Sequence, residues 1–116
     1  CGSQKKDKAI MYSITITEPA EQDLNSAVDY FITVLKAPKA AQTLLDEIED
    51  KMNFLSTNPL VYEIENDEYL HERNIRSVLV RSHLIFYIVK NNLEEVIILR
   101  ILYARRNWLN ILRNTI

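Results

Sequence analysis

Tyr12, Ile14 and Ile16 alternate with Ser13, Thr15 and Thr17, and this period of two predicts a half-buried strand. The pattern then changes. From Ala20 onward, Leu24, Ala27, Val28, Phe31 and Leu35 recur at helical spacing, with Glu21, Gln22, Asp23, Asn25 and Asp29 on the opposite side. Pro19 suits the first turn, where its missing N–H is not needed, and Glu18 and Glu21 suit the positive end of the helix. Lys36-Ala37 interrupts the pattern and Pro38 restarts it. Ala41, Leu44, Leu45, Ile48, Met52 and Leu55 make the next apolar stripe, with Asp46, Glu47, Glu49 and Asp50 outside, and Ser56-Thr57-Asn58-Pro59 stops it. Two amphipathic helices joined by so short a link form an antiparallel hairpin.

Leu60 to Glu72 shows no clear period and much acid, which predicts a loop with a short helical turn near Tyr69. Three strand-sized apolar runs follow: Ile75 to Val80, Leu84 to Val89 and Glu95 to Leu102. The turns between them, Arg81-Ser82-His83 and Lys90-Asn91-Asn92, are short enough to force an antiparallel meander. One more helical turn is expected over 107–113. The prediction is an α+β fold in two layers, β-α-α-β-β-β. The helical hairpin packs on one face of a mainly antiparallel sheet and the other face is left open to work.

With 116 residues the chain reads as one domain, large enough for a hydrophobic core without staples. The single cysteine, Cys1, excludes an intramolecular disulfide, and His71 and His83 alone make no metal site, so no cofactor or metal is expected. The longest apolar run is strand-sized, well below the roughly 20 residues of a membrane helix, so no membrane partner is expected. A cytoplasmic location is the default for such a chain. Residues 1–10 are rich in lysine and hold the one glycine; they read as a disordered arm or a cloning remnant ahead of a natural start at Met11.

The net charge of −2 conceals a strong asymmetry. Residues 1–68 carry six lysines against thirteen acids, whereas residues 69–116 carry eight cations, seven of them Arg, against three glutamates. Solvation alone would be served by lysine, so the arginine bias points to a binding face. It peaks at the end of the last apolar run, where Arg100, Arg105 and Arg106 are interleaved with Tyr103 and Trp108. Arginine beside aromatics at the end of a rigid strand grips phosphate or carboxylate.

Three segments in this order, Ile16 to Leu24 (ITEPAEQDL), Leu84 to Val89 (LIFYIV) and Ile98 to Trp108 (ILRILYARRNW), together with the element order, resemble the RelE/ParE superfamily. These are the toxins of type II toxin–antitoxin modules, of plasmid-stabilisation type, and the resemblance covers about 11–108. It implies a growth-inhibiting toxin neutralised by a cognate antitoxin protein, in a heterodimer or a heterotetramer. ParE-like members poison DNA gyrase by binding. RelE-like members act at the ribosome as metal-independent mRNA endoribonucleases, which requires a base, an acid and cations around one phosphate.

The residues favour the ParE-like branch. His83-Leu84 stands where RelE-like chains commonly carry an arginine, Tyr103 stands where many members of both branches carry a histidine, and the late tyrosine of the tail is missing. An acidic net charge also suits ribosomal RNA poorly. On this reading Arg100, Arg105, Arg106, Trp108 and Tyr87 are the expected target- or antitoxin-binding residues, with Arg76 and Arg81 in support. In the RelE-like alternative Arg76, Arg81 and Arg106 surround a phosphate and Tyr103 moves a proton, a task for which a tyrosine needs nearby cations. A degenerate, inactive member is the third reading. His83 is expected to be a turn residue, and the acids of the helices to be solvated.

Overall fold

In the computed structural model, which describes residues 11–116, β1 (Ser13–Ile16) leads directly into α1 (Glu18–Thr33). Thr17 caps that helix. Its Oγ1 accepts from the Ala20 N–H at 3.4 Å and lies 2.9 Å from the Ile98 carbonyl oxygen, to which it donates. The helix start is thereby fixed to the edge of the sheet. α2 (Pro38–Thr57) returns antiparallel to α1, and its stripe of Ala41, Leu44, Ile48, Met52 and Leu55 is buried throughout. Leu35 departs from the expectation: it lies past the end of α1, 49% exposed.

A short α3 (Glu68–Glu72), capped by Asp67, occupies the expected turn near Tyr69. The meander is β2 (Arg76–Val80), β3 (His83–Lys90) and β4 (Glu95–Tyr103), and the chain ends in α4 (Trp108–Thr115). The sheet order is β1-β4-β3-β2, with β1 parallel to β4 and the other pairs antiparallel. The described residues contain no glycine, so the left-handed backbone positions fall to Lys36, Asn74, Arg81 and Glu94.

The main core lies between the hairpin and one sheet face, where Leu44, Ile48, Ile85, Tyr87, Val96 and Ile98 meet. The expectation of an open second face is corrected. Leu70, Ile75, Phe86, Leu102 and Leu112 form a smaller core there, under α3 and α4. A tail of eight helical residues with an apolar stripe has to bury it, and the sheet is the surface within reach.

Candidate functional site

The last strand and the β2–β3 turn end side by side. His83 and Tyr103 are direct register partners across β3 and β4, and the Ala104 N–H donates to the Ser82 carbonyl at 2.8 Å. The turn that follows is closed by the Arg106 N–H donating to the Tyr103 carbonyl at 3.0 Å. Arg81, Tyr103, Arg105 and Arg106 are therefore presented together, all exposed, at one end of the sheet. The Arg81 Nε donates to Glu47 Oε2 at 2.7 Å, but both side chains are about half exposed, and such a pair contributes only about 0–1 kcal/mol. It can be exchanged for a partner's carboxylate at little cost.

The expectation that His83 is a turn residue is corrected. The turn has two residues, Arg81 and Ser82, and His83 opens β3 with its ring buried between Phe31 (6.5 Å between centroids) and Tyr103 (5.7 Å). Its Nδ1 lies 3.0 Å from Ser82 Oγ. Burial pushes its pKa below the ordinary 6.5, and the nearby Asp23 carboxylate opposes the shift. The unfolded chain therefore takes up a proton near pH 6.5 that the folded chain refuses. His83 costs nothing above pH 6.5, and stability falls as the pH drops below it. Urea titrations of wild type and His83→Asn from pH 7.5 to 5 are expected to show a steeper acid loss in the wild type. Parallel curves would exclude His83 as the cause.

Four expected site residues have other duties. Arg100 lies at the β4 edge with its side chain 13% exposed. Its Nε and Nη2 donate to Asp23 Oδ2 and Oδ1 at 2.7 and 2.8 Å, and its Nη1 lies 2.9 Å from Thr115 Oγ1. Asp23 also accepts the Ile101 N–H at 3.1 Å, beyond the point where β1 stops pairing. Arg100 is a clamp joining α1, β4 and α4, and the bidentate bond to Asp23 raises its pKa further. Arg76 donates to the Tyr62 carbonyl and holds the acidic loop against β2. It lies five residues, or about 16 Å of strand at about 3.3 Å per residue, from Arg81. Of the expected phosphate-binding set, Arg81, Arg106 and Tyr103 are thus brought together and Arg76 is not. Tyr87 is fully buried in the main core, its hydroxyl without a partner among the described residues and its pKa pushed up to about 12 by burial, against the pull of Arg76. It presents no binding surface. Trp108 packs on Phe86 with centroids 5.2 Å apart and seats α4 on the second face.

Two clefts, of about 950 and 840 Å³, open on either side of Tyr103 and share Phe31, Ser82 and Tyr103 in their walls. Lys39, Arg81 and Arg105 line the first; Asp23, Arg100 and Arg106 line the second. Lys39 was not foreseen, because nothing in a single helical sequence says that its first turn reaches the end of the last strand. His83 and Tyr87 carried a usable signal: His83, Ile85 and Tyr87 alternate, which places all three under the hairpin.

A helical hairpin thus lies over a four-stranded sheet, with an arginine-rich turn at the end of its last strand. The sequence matches the family described as ParE toxin of type II toxin-antitoxin system, parDE, over residues 14–108, and the chain belongs to that family. Among solved structures the fold is similar to the chromosomal ParDE toxin–antitoxin system from P. aeruginosa: 22% identity over 84% of this chain and 100% of that one, TM-score 0.65. It is also similar to the toxin–antitoxin complex RelBE2 from Mycobacterium tuberculosis: 20% identity over 81% of this chain and 99% of that one, TM-score 0.58. No curated protein sequence matches the chain. Among the described residues, no helix is long and apolar enough to cross a membrane.

Proposed function

We propose that this ParE-family toxin inhibits growth by binding DNA gyrase rather than by cutting mRNA, and that a cognate antitoxin neutralises it. The observation that carries the reading is the separation of one cation, Arg76, from the set a ribonuclease would need. Arg76 is held by the Tyr62 carbonyl at the far end of β2, away from Arg81, Arg106 and Tyr103. What remains at the end of the sheet, Tyr103 with Arg81, Arg105 and Arg106, has the make-up of a protein-binding surface, an aromatic anchor ringed by arginines. The family match over 14–108 supports the same branch.

Inducing the protein in a bacterium, with parallel pulse labelling of DNA and protein synthesis, tests this. An early fall in DNA synthesis with induction of the SOS response is expected. An early fall in protein synthesis with cut mRNA would assign the chain to the ribonuclease branch instead.

A further inference from the structure

Tyr103 is the aromatic anchor of the arginine cluster, yet its ring stands between two clefts and is 44% exposed. A ring with open space on either side keeps one orientation only when something beneath it fixes it. The residue beneath is His83. It is the direct register partner of Tyr103 across β3 and β4, so both side chains leave the sheet on the same face. The two rings meet edge to face, with centroids 5.7 Å apart and an interplanar angle of 63°, an arrangement that aromatic pairs prefer.

His83 is itself fixed. It is 6% exposed, its ring meets Phe31 of α1 at the same 63°, and its Nδ1 lies 3.0 Å from Ser82 Oγ. Ser82 carries the support onward, because its carbonyl accepts the Ala104 N–H at 2.8 Å. Ala104 lies in the turn that the Arg106 N–H closes on the Tyr103 carbonyl. One chain of contacts therefore runs from α1 through His83 to the backbone that aims Arg105 and Arg106. An apolar side chain would fill the space without the cost of burying a polar ring. What the imidazole adds is the contact with Ser82, which fixes the ring's rotation and ties it to the turn.

We infer that His83 is a positioning residue for the binding surface: from beneath, it sets the Tyr103 ring and the turn that carries Arg105 and Arg106. The inference rests on the gyrase reading only for what that surface binds. It carries a pH dependence that a filler of the same space lacks, since burial keeps the ring neutral at neutral pH. Charged and titratable groups face the ring from each element around it. α1 supplies Asp23, bonded twice by Arg100, and Tyr30; β4 and the turn after it supply Arg100, Tyr103 and Arg106. Arg81, in the β2–β3 turn, pairs with Glu47 of α2, and Lys39 of α2 lies across Tyr103 in the first cleft. The one carboxylate in the second cleft is already taken, so an imidazolium there meets an excess of cations. Acid drives the ring toward water, and Tyr103 and the turn move with it while the two hydrophobic clusters stay packed.

NMR spectra of the purified protein from pH 7.5 down to 4.5 test this. The Tyr103 ring signals and the Ala104, Arg105 and Arg106 amides are expected to shift with the His83 ring at one shared midpoint below pH 6.5, while the Ile48 and Ile98 amides hold. In His83→Phe, which keeps the aromatic contact, the same signals are expected to stay near their neutral-pH positions throughout. In His83→Ala they are displaced at every pH. Survival after induction of His83→Ala is expected to rise about tenfold, as for a displaced interface anchor, and His83→Phe is expected to reverse most of that rise. Turn signals that ignore the His83 titration, a His83 ring that titrates only as the whole chain unfolds, or a Tyr103 ring unmoved in His83→Ala overturns the inference. The wild-type titration needs no variant, so it decides the matter even where His83→Ala does not fold. A wild type that arrests no growth, or arrests protein synthesis first, overturns the gyrase reading and leaves the titration to judge the positioning.

Discussion

Replacing Asp23 with Ala is expected to destabilise the domain by about 3 kcal/mol, the low end for a buried pair, since removing one partner of this part-buried, bidentate ion pair leaves the other charge uncompensated. Asp23 accepts three N–H donors: two from the Arg100 guanidinium, whose side chain is 13% exposed, and the Ile101 amide at the strand edge. Water reaches them poorly, so all three lose a partner together. For a domain of this size the melting temperature is expected to fall by more than about 10 °C. Asp23→Ala/Arg100→Met is expected to recover much of the loss, because it removes the stranded charge. A melting temperature within a few degrees of wild type in the single variant would show the clamp to be dispensable. No recovery in the double variant would place its value in the Ile101 bond and not in the ion pair.

The second large effect is functional. Arg105→Glu/Arg106→Glu is expected to abolish growth arrest while leaving folding intact. Both side chains are exposed and lie outside the two hydrophobic clusters. Exposed substitutions of this kind change stability by about 0.5 kcal/mol or less. Reversing two charges, one in the wall of each cleft, turns attraction for an acidic partner into repulsion. Growth after induction and a thermal melt of the purified protein read the two halves of the expectation. Persisting arrest would remove the arginine turn from the toxic surface, and a collapsed melt would make it part of the fold.

The two variants separate arginines that look alike in sequence. Arg100 interrupts a continuous apolar run and lies in the same stretch of sequence as Arg105 and Arg106, yet it is a structural clamp and they are surface. A bulge between Phe86 and Tyr87 shifts the register opposite Leu99 and Arg100, so simple alternation fails at that place. No periodicity argument could assign Arg100 to a face. Its partner Asp23 is 77 residues away and looked like one more solvated acid on the polar side of α1.

The order of elements was legible because each carries its own local signal. Pro19 and Pro38 open the helices, the stripe from Ala41 to Leu55 keeps helical spacing, and two short turns leave the meander no alternative to antiparallel pairing. Membership of the ParE toxin family was legible for the same reason, since it rests on short segments in a fixed order. Tertiary structure decided what depends on separation in sequence. It placed β1 parallel to β4, and it closed the second sheet face with α4 through the Trp108–Phe86 contact. It also set the first turn of α2 beside the arginine turn, making Lys39 part of the first cleft. Local propensity is written in neighbouring residues. Which distant surfaces meet is set by how the whole apolar area is buried, and that sum has no address at any one position.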